Sequence, residues 1–397
     1  MDKFDLAIVG NGVIGTLTAL TAAEAGLRVA LVGRPGRPGS ASMAAGAMLN
    51  VLGEVDGPVD DYVTRKIEIG HRAIAMWRKL LPAEIFVADQ THIYKKSDRT
   101  ELEVKCFGAI AEAAKVTPQR IGDKDVVLLK DEPAVSTPDL FAWLDARLAA
   151  LGVLVVETPP PAAKVVRCAG SFTAGAGPLP LFYGVGNAMT LSDVDLKLPP
   201  RTVLRTPNRG NTCGLHIVPR GRSYYVGAGS YLATGPSDGY RFETLRYLIE
   251  CLEADFGVET WQAAIQPLKG YRPISFDGKP LLGPLRAEPN VYVATGTKRD
   301  GLTYAPVIAE DILNWVKGAP RGVFDGWEPD RKPISYGPKD YAIDVYIANR
   351  RAALNEHGRD RAVEDLRKDA EAAYQLAHKK FDLPADFGLH PEILHVI

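Results

Sequence analysis

The residues whose types and spacing most directly suggest chemistry are three glycines, Gly10, Gly12 and Gly15, in the pattern Gly-x-Gly-x-x-Gly. In such a turn the first glycine allows a tight bend and the second lets the backbone approach a pyrophosphate. The third permits close packing of a helix on a strand. Amides at the helix start, here around Val13 and Ile14, carry a partial positive charge that favours a bound anion. The pattern therefore predicts a dinucleotide site.

The segments that flank these glycines supply the elements that such a turn requires. Leu6–Val9 is an apolar run typical of a buried parallel strand. Thr16–Ala25 is rich in alanine and leucine, which favours a helix, and Gly26 would end it. Leu27–Val32 then predicts a second strand. The glycine pattern alone is weak evidence, but after a first strand and at a helix start it is specific.

The end of the second predicted strand lacks one element of this kind of site. An acidic residue normally stands there and accepts the ribose hydroxyls, whereas this chain has Gly33 followed by Arg34. Two interpretations remain open at this point. Arg34 could bind a 2′-phosphate, as in NADP enzymes, or Arg34 and the backbone could hold the adenosine end of another dinucleotide. A carboxylate introduced by Gly33→Glu is then expected to strengthen cofactor retention.

The length of the chain predicts two lobes and an appendage. Its composition and its scattered cysteines predict a protein of the reducing cytoplasm. The chain has 397 residues, of which 46% are hydrophobic and 24% are charged, as in ordinary globular proteins. A net charge of −1 gives no indication of a nucleic-acid or membrane-surface partner. No apolar run approaches the ~18 residues of a membrane span. The cysteines, whose spacing predicts neither disulfides nor a metal site, are Cys106, Cys168, Cys213 and Cys251.

A run of small residues follows the second predicted strand. Arg34–Ser42 is a proline- and glycine-rich loop, and Met43–Leu49 consists mostly of small side chains. Small residues there could let the backbone lie close against a flat ligand. They could also mark a tightly packed helix start, which composition alone favours.

The middle of the chain predicts further helices and a region of antiparallel strands. Asp60–Leu81 and Thr137–Ala150 show the apolar periodicity of helices, the second with Thr137 at its cap. Residues 181–230 alternate in polarity as antiparallel strands do.

The last stretch, residues 323–397, differs in kind. Residues 325–338 are rich in proline, glycine and charge and predict a linker-like loop, and two helices are predicted at about 342–356 and 359–381. Their apolar surface requires a partner, which could be the protein's own lobes, a second copy or another protein. The residues that form this surface are Tyr341, Tyr346, Leu354, Leu366, Tyr374 and Phe381.

Three ordered motifs in the second half carry a resemblance to a known family. They are Gly-Tyr-Arg-Pro at 270–273, Asp-Gly-x-Pro-x-x-Gly-Pro at 277–284, and Gly-Thr-Lys-Arg-Asp-Gly at 296–301. Together with the N-terminal unit and the segment 38–49, the chain resembles the D-amino-acid oxidase superfamily of FAD-dependent oxidoreductases, nearest to its glycine oxidase branch. The resemblance covers most of residues 1–320.

The resemblance implies FAD rather than NADP, bound non-covalently because no cysteine stands near Arg272. A helix that starts after Gly301 would direct its N-terminal amides at the flavin, where negative charge develops on reduction. The residues assigned to cofactor binding are Gly10, Gly12, Val13, Ile14, Gly15, Arg34, Ser42, Ala45, Gly46, Met48, Gly170, Gly296, Arg299, Gly301, Leu302 and Thr303.

The implied activity is oxidation of a C–N bond in a small amine or amino acid, by hydride transfer to flavin N5. The products are an imine and, with oxygen as the acceptor, hydrogen peroxide. The resemblance assigns Arg272 and Arg299 to the substrate carboxylate and the flavin edge, and a guanidinium fork suits a carboxylate. Two alternatives remain open, a dehydrogenase that passes electrons to a protein or quinone and a redox-inactive binding protein.

The chain also departs from the family pattern. His216 stands where a tyrosine commonly faces the substrate, and it could bind substrate, act as a base or be an inert strand residue. Asp300 replaces an asparagine and adds negative charge beside Arg299. Lys298 is expected to be solvated. The hairpin that helps to hold the adenine is shortened to a few prolines, so the adenosine end of the site is weakened.

The implied architecture is α/β, a Rossmann-type FAD-binding domain plus an antiparallel-sheet substrate domain and a C-terminal helical extension. The first domain is expected from residues 1–80, 131–176 and 273–322. The second is expected from residues 81–130 and 177–272, and the extension from residues 323–397. The extension could also form a contact in a homo-oligomer.

Overall fold

The computed structural model describes residues 4–96, 101–208, 214–257, 260, 262–356 and 359–396. Its strands are β1 Phe4–Val9, β2 Val29–Val32, β3 Phe86–Ala88, β4 Gln90–Lys96, β5 Gln119–Ile121, β6 Lys124–Leu129, β7 Ala134–Val135, β8 Leu154–Val156, β9 Ala162–Arg167, β10 Leu181–Ser192, β11 Thr202–Arg205, β12 His216–Arg220, β13 Ser223–Ala233, β14 Ala264–Ser275, β15 Leu281–Pro284 and β16 Val291–Thr295. Its helices are α1 Val13–Glu24, α2 Asp61–Leu80, α3 Glu101–Ala114, α4 Thr137–Ala150, α5 Phe242–Phe256, α6 Gly301–Lys317, α7 Lys339–Glu356 and α8 Val363–Phe381.

The first sheet has the strand order β15-β16-β9-β1-β2-β8. All of its pairs are parallel except that between β15 and β16. Leu6 and Ile8 on its central strand β1 are fully buried, as expected for a parallel strand covered on both faces. The predicted unit of strand, glycine turn, helix and strand is therefore β1, α1 and β2.

The second sheet has the order β14-β10-β13-β12-β11-β4-β6-β5. Its pairs are antiparallel apart from β4 with β11, which are parallel. The mixed α/β fold class with a helical C-terminal region is thus confirmed. The proposed domain boundary between residues 272 and 273 falls inside β14.

Helix α6 contains a proline whose missing N–H is compensated from another helix. Pro306 cannot donate to the carbonyl oxygen of Leu302, four residues earlier. The indole Nε1 of Trp77 on α2 donates to that oxygen at 3.0 Å, and lies 3.2 Å from the carbonyl oxygen of Thr303. Trp77 is fully buried, so α2 fixes the first turns of α6. Helix α4 is likewise capped by a side chain, but by Ser136 rather than by the predicted Thr137.

The C-terminal helices pack on the chain's own second sheet. Leu366 and Tyr374 of α8 are buried in one apolar cluster with Ile274 and Phe276, and Phe276 contacts Phe381 with ring centroids 4.5 Å apart. Tyr341, placed on the same apolar surface by the sequence pattern, is instead exposed.

The segment before these helices, residues 325–338, is a loop as expected, but it is packed against the protein rather than linker-like. Trp327 is buried, and its carbonyl oxygen accepts the N–H of Leu282 on β15. Arg331 forms an ion pair of 2.8 Å with the buried carboxylate of Asp277. The segment is therefore held against the first sheet.

Among the helices of the described ranges, none combines the length and the apolar character that a membrane span requires.

Candidate active site

The glycine turn has the close contacts that the sequence pattern requires. A Cβ atom on Gly15 would lie 1.7 Å from the carbonyl oxygen of Gly10, and one on Gly10 would lie 2.5 Å from the backbone of Cys168. Gly12 has no such conflict, since the nearest atom would be the Ser42 hydroxyl at 3.4 Å. Gly12 is the N-cap of α1 and supplies no side-chain cap. The space in front of this helix start is therefore kept free of side chains other than Ser42.

Ser42 contacts the helix start directly. Its hydroxyl oxygen accepts the N–H of Val13 at 3.2 Å. A hydroxyl in that position can also donate to an anion in front of the helix. The predicted cofactor residues Ser42, Gly12 and Val13 are thus brought together, although 29 residues separate Ser42 from Val13.

The place of the missing acidic residue is filled by Asn11. A Cβ atom on Gly33 would lie 2.2 Å from Asn11 Cγ, and the Asn11 amide donates to the carbonyl oxygen of Arg34 at 2.9 Å. A glutamate at position 33 would displace Asn11, so the expectation that Gly33→Glu strengthens cofactor retention is revised. The Arg34 side chain itself is exposed.

An apolar cavity of about 390 Å³ lies beyond the end of β2. It is bordered by Arg37 rather than by Arg34. The Arg37 guanidinium donates to the carbonyl oxygen of Asn11 at 2.7 Å and pairs with Asp145 at 2.5 Å. The apolar lining of this cavity is Leu31, Pro35, Leu148, Ala149, Val153 and Val155.

The small-residue run packs on the second sheet. A Cβ atom on Gly46 would lie 2.7 Å from the Tyr225 ring, and the neighbouring Ala45 carbonyl oxygen accepts a hydrogen bond from Arg220 at 2.7 Å. Met48 pairs with Ala134 in an isolated bridge. Tight packing therefore accounts for Gly46, but residues 43–49 form turns and irregular structure rather than the expected helix start. The cofactor roles of Ala45, Gly46 and Met48 remain proposals.

The motif at 296–301 meets the glycine turn. A Cβ atom on Gly301 would lie 2.6 Å from the Thr297 hydroxyl and 3.8 Å from the Ile14 side chain. Gly296 has a φ of +71°, in the region that favours glycine. Gly170, at +59°, accepts a hydrogen bond from Thr295 at 2.9 Å. The start of α6 thus lies beside the start of α1.

A second cavity, of about 410 Å³, lies where β12, β13 and β14 meet the motif at 296–301 and the C-terminal segment. We call it the arginine-lined cavity because six cationic residues border it. They are Arg241, Arg272, Lys298, Arg299, Arg350 and Arg359. His216 also borders it, so the three predicted catalytic residues are brought together.

Arg272 has an unpartnered guanidinium nitrogen at this cavity. Its Nη2 atom is buried and has no hydrogen-bond partner among the described residues. Burial lowers the pKa of Arg272, and the nearby charge of Arg299 lowers it further. A Cβ atom on Gly186 would lie 3.3 Å from Nη2, so a glycine leaves the guanidinium its room. A guanidinium N–H is a hydrogen-bond donor, so an anion in the cavity could accept its hydrogen bond.

Arg299, by contrast, is already paired. Its Nε lies 3.1 Å from Glu54, whose other oxygen lies 2.8 Å from the fully buried Arg205. Burial alone would raise the pKa of Glu54, but Arg299 and Arg205 hold it well below its usual range. Asn208 completes the network with a hydrogen bond of 3.1 Å to Glu54. Arg299 is therefore held by a carboxylate that the sequence analysis did not identify.

Glu54 is placed by a second buried carboxylate. Glu132 accepts the N–H of Val51 at 2.9 Å and the Asn50 side-chain amide at 2.5 Å, and this fixes the turn that precedes Glu54. Burial raises the pKa of Glu132. Glu132 lies about 80 positions from the turn at Val51 in the sequence, and no local motif connects the two.

The neighbours of Arg299 are also paired, contrary to expectation. Lys298 is not a free, solvated cation, because its ammonium lies 2.7 Å from Glu392 of the C-terminal segment and its side chain is only 20% exposed. Asp300 lies 2.7 Å from Lys66 on α2, which compensates the charge that replaces the family's asparagine. Burial opposes ionisation of Glu392, but Lys298 and His390 lower its pKa to about 2.

His216 lies at the start of β12, half-buried, with an Nδ1 atom that has no partner among the described residues. Burial and the positive charge of Arg205 hold the pKa of His216 well below its usual range. Its imidazole is therefore neutral near neutral pH.

The described part of the chain contains no group of three or more His, Cys, Asp or Glu residues placed to hold a metal ion.

Comparisons with known proteins bear on the fold and the family of the chain. Among curated proteins, none matches the chain in sequence. A glycine oxidase from Geobacillus kaustophilus has a similar structure, with a TM-score of 0.69 and 20% identity over 84% of this chain and 100% of that one. An iminodiacetate oxidase from Chelativorans sp. BNC1 has a TM-score of 0.66 and 19% identity over 83% and 100% of the two chains.

An L-proline dehydrogenase from P. horikoshii is also similar, with a TM-score of 0.66 and 14% identity over 83% of this chain and 97% of that one. At such identities these structures show the fold alone. The family assignment rests on a match of residues 5–315 to the family model described as DAO, FAD dependent oxidoreductase. Since that match spans most of the sequence, the chain belongs to the DAO family of FAD-dependent oxidoreductases.

Proposed function

We propose that the protein oxidises the C–N bond of a small amino acid or amine whose carboxylate pairs with Arg272. The observation that carries this proposal is the buried, unpartnered Nη2 of Arg272 at the arginine-lined cavity. A carboxylate fits a guanidinium fork and would satisfy that nitrogen. Arg299, already paired with Glu54, has less capacity for the same role.

The residues present fit the family's cofactor, FAD. The contacts between Gly10 and Gly15 leave no room for side chains, and the start of α1 is open to a pyrophosphate. We propose that Val13, Ile14 and Ser42 help to bind the pyrophosphate there. Gly170, Gly296, Gly301, Leu302 and Thr303 would lie towards the flavin, and the apolar cavity beyond β2 would take the adenosine.

When bound, FAD supplies the acceptor for the two electrons and the hydrogen that leave the carbon next to the substrate nitrogen. The protein's own part is to orient that carbon and to control the proton on nitrogen. Arg272 would hold the carboxylate, and the neutral imidazole of His216 would accept a hydrogen bond from the amino group. Loss of two electrons and two protons converts the amine to an imine.

Oxygen is the proposed final acceptor, giving hydrogen peroxide. One observation favours the alternative, a dehydrogenase that passes electrons to a protein or quinone. Reduction of oxygen develops negative charge, and a free cation near the reaction centre would stabilise it. Lys298, the cation expected to be free, is paired with Glu392. Peroxide formed per substrate oxidised, measured at full flavin loading, separates the two.

The function is tested by anaerobic mixing of the FAD-loaded protein with a panel of amino acids and their amides. Bleaching of the flavin absorbance by an amino acid, and much weaker bleaching by the matched amide, is the expected result. Equal bleaching by both would remove the carboxylate from the proposal. An unchanged spectrum with every amine and amino acid would favour the redox-inactive binding protein.

A further inference from the structure

The arginine-lined cavity is walled in part by the C-terminal segment. Arg350 and Leu354 of α7, together with Arg359 and Glu392, border the same space as Arg272. A volume of about 410 Å³ falls in the range of small-molecule sites. It corresponds to about fourteen water molecules at ~30 Å³ each. The flavin edge would take the part beside Arg299, and the same cavity also reaches Arg350 of α7.

The charges around this cavity do not cancel. Of its six cationic residues, Lys298 pairs with Glu392 at 2.7 Å and Arg359 pairs with Glu243 at 3.7 Å. Arg299 is paired with Glu54, as described above. Those pairs leave Arg272, Arg241 and Arg350 without a carboxylate partner among the described residues.

The two further arginines differ in how they are held. The Arg241 guanidinium lies over the Tyr231 ring, 3.3 Å from its centroid, and its side chain is exposed at the rim. Arg350 is half-buried on a helix that packs on the second sheet through Ile343 and Ile347. Arg350 thus presents a positive charge from a fixed backbone, partly removed from water, where an ion pair is stronger than at the surface.

We infer that the substrate carries a second acidic group, a carboxylate or a phosphonate, and that this group pairs with Arg350 while the α-carboxylate pairs with Arg272. The inference rests on the proposed function for the role of Arg272. It adds that the C-terminal segment determines specificity. A mono-acid would leave Arg350 unpartnered beside a cationic wall, whereas a diacid would neutralise both ends of the cavity.

The test separates binding from turnover. Equilibrium binding of glutarate and of its monoamide to the FAD-loaded protein is measured by calorimetry, in the wild type and in Arg350→Gln. The exposed Arg351→Gln, one position further along α7, is the matched control. We expect the wild type and the control to bind the diacid at least tenfold more tightly than the monoamide, which is the scale of one charge-assisted hydrogen bond. Arg350→Gln should make the two affinities equal.

Turnover provides the second arm, with aspartate against asparagine and glutamate against glutamine, in both enantiomers. Glycine that carries a phosphonomethyl group on its nitrogen, compared with glycine that carries a carboxymethyl group there, distinguishes a phosphonate from a carboxylate as the second acidic group. A preference for the acidic member that is lost in Arg350→Gln supports the inference. Equal binding of glutarate and its monoamide by the wild type would overturn it, and so would a uniform loss with both in Arg350→Gln. Failure of every amine to bleach the flavin would contradict the proposed function but leave the binding comparison decisive.

Discussion

The glycine turn at 10–15 and the arginine-lined cavity are built on opposite principles. In the turn, the backbone itself makes the site, since a Cβ on Gly15 would collide with the carbonyl oxygen of Gly10 at 1.7 Å. In the cavity, side chains make the site, and carboxylates from residues far away in the sequence pair with them. Glu54 pairs with Arg299, and Glu392 pairs with Lys298. At Gly10 and Gly15 the first region has no room for a side chain, whereas the second region changes its chemistry with each charge.

The largest effect is expected from a side chain placed in the cofactor's path. Gly12→Val should abolish FAD binding, because its side chain would block the approach of the pyrophosphate to the backbone. The fold should persist, because the atom nearest to the new Cβ would be the Ser42 hydroxyl at 3.4 Å. Gly108→Val, at an exposed position of α3 with nothing within 4 Å, is the control. Flavin content per protein and the melting temperature are the measurements. A fully loaded Gly12→Val protein would mean that the pyrophosphate lies elsewhere.

Removal of the Arg272 guanidinium should have the next largest effect. Arg272→Ala is expected to cost about 2–3 kcal/mol of carboxylate binding, which corresponds to a rise of roughly thirty- to a hundred-and-fiftyfold in KM. Arg272→Lys should rescue only part of this, because a point charge replaces a fork. The exposed Arg201→Ala should leave KM unchanged. Equal turnover of a neutral amine by wild type and Arg272→Ala, with no carboxylate substrate found, would contradict the assignment.

The ion pair between Glu392 and Lys298 predicts a dependence on pH. The pKa of Glu392 is lowered to about 2 in the folded protein, so its stabilisation is present above about pH 4.5 and is lost as the pH falls towards 2. Glu392→Gln should destabilise the protein by on the order of 2 kcal/mol at pH 7, with the difference shrinking in acid. Melting temperatures from pH 2 to pH 7 test this. A difference independent of pH would show that the ion pair contributes nothing.

The smallest effect concerns the adenosine end. Gly33→Glu should weaken FAD binding by about tenfold, because overpacking against Asn11 costs roughly 1–3 kcal/mol. The double variant Asn11→Gly, Gly33→Glu removes the conflict and provides the carboxylate that ribose hydroxyls favour. We expect it to bind FAD more tightly than Gly33→Glu alone. Equal dissociation constants for the two variants would show that Asn11 is not the obstacle.

The sequence predicted what depends on local pattern. The glycine turn, its flanking strands and the ordered motifs at 270–301 led to the fold class, the family and FAD, which are confirmed. Asn11 was also within reach, since it lies inside the turn. By contrast, Glu54, Glu132 and Glu392 have ordinary surroundings in the sequence. Their roles arise from partners about 80 to 250 residues away, which neither periodicity nor spacing can reveal.

The expected solvation of Lys298 failed for the same reason. A lysine in a loop is usually exposed, and nothing near position 298 indicates that the C-terminal segment returns to cover it. The apolar stripe of α8 predicted that this segment needs a partner, and that partner proved to be the second sheet. The pattern indicated that a surface would be covered, but not by what.

The strand order of the first sheet bears on how the protein is synthesised. β1 and β2 are close in sequence and can pair early, and one edge of β9 can pair with β1. The other edge of β9 must wait for β16, more than a hundred residues later. The strands β10 to β15 emerge from the ribosome in between. The nascent chain therefore exposes an unpaired edge of β9 for the time needed to make that stretch, at ~5–20 residues per second. A chaperone that shields this edge during elongation is expected to raise the yield of folded protein.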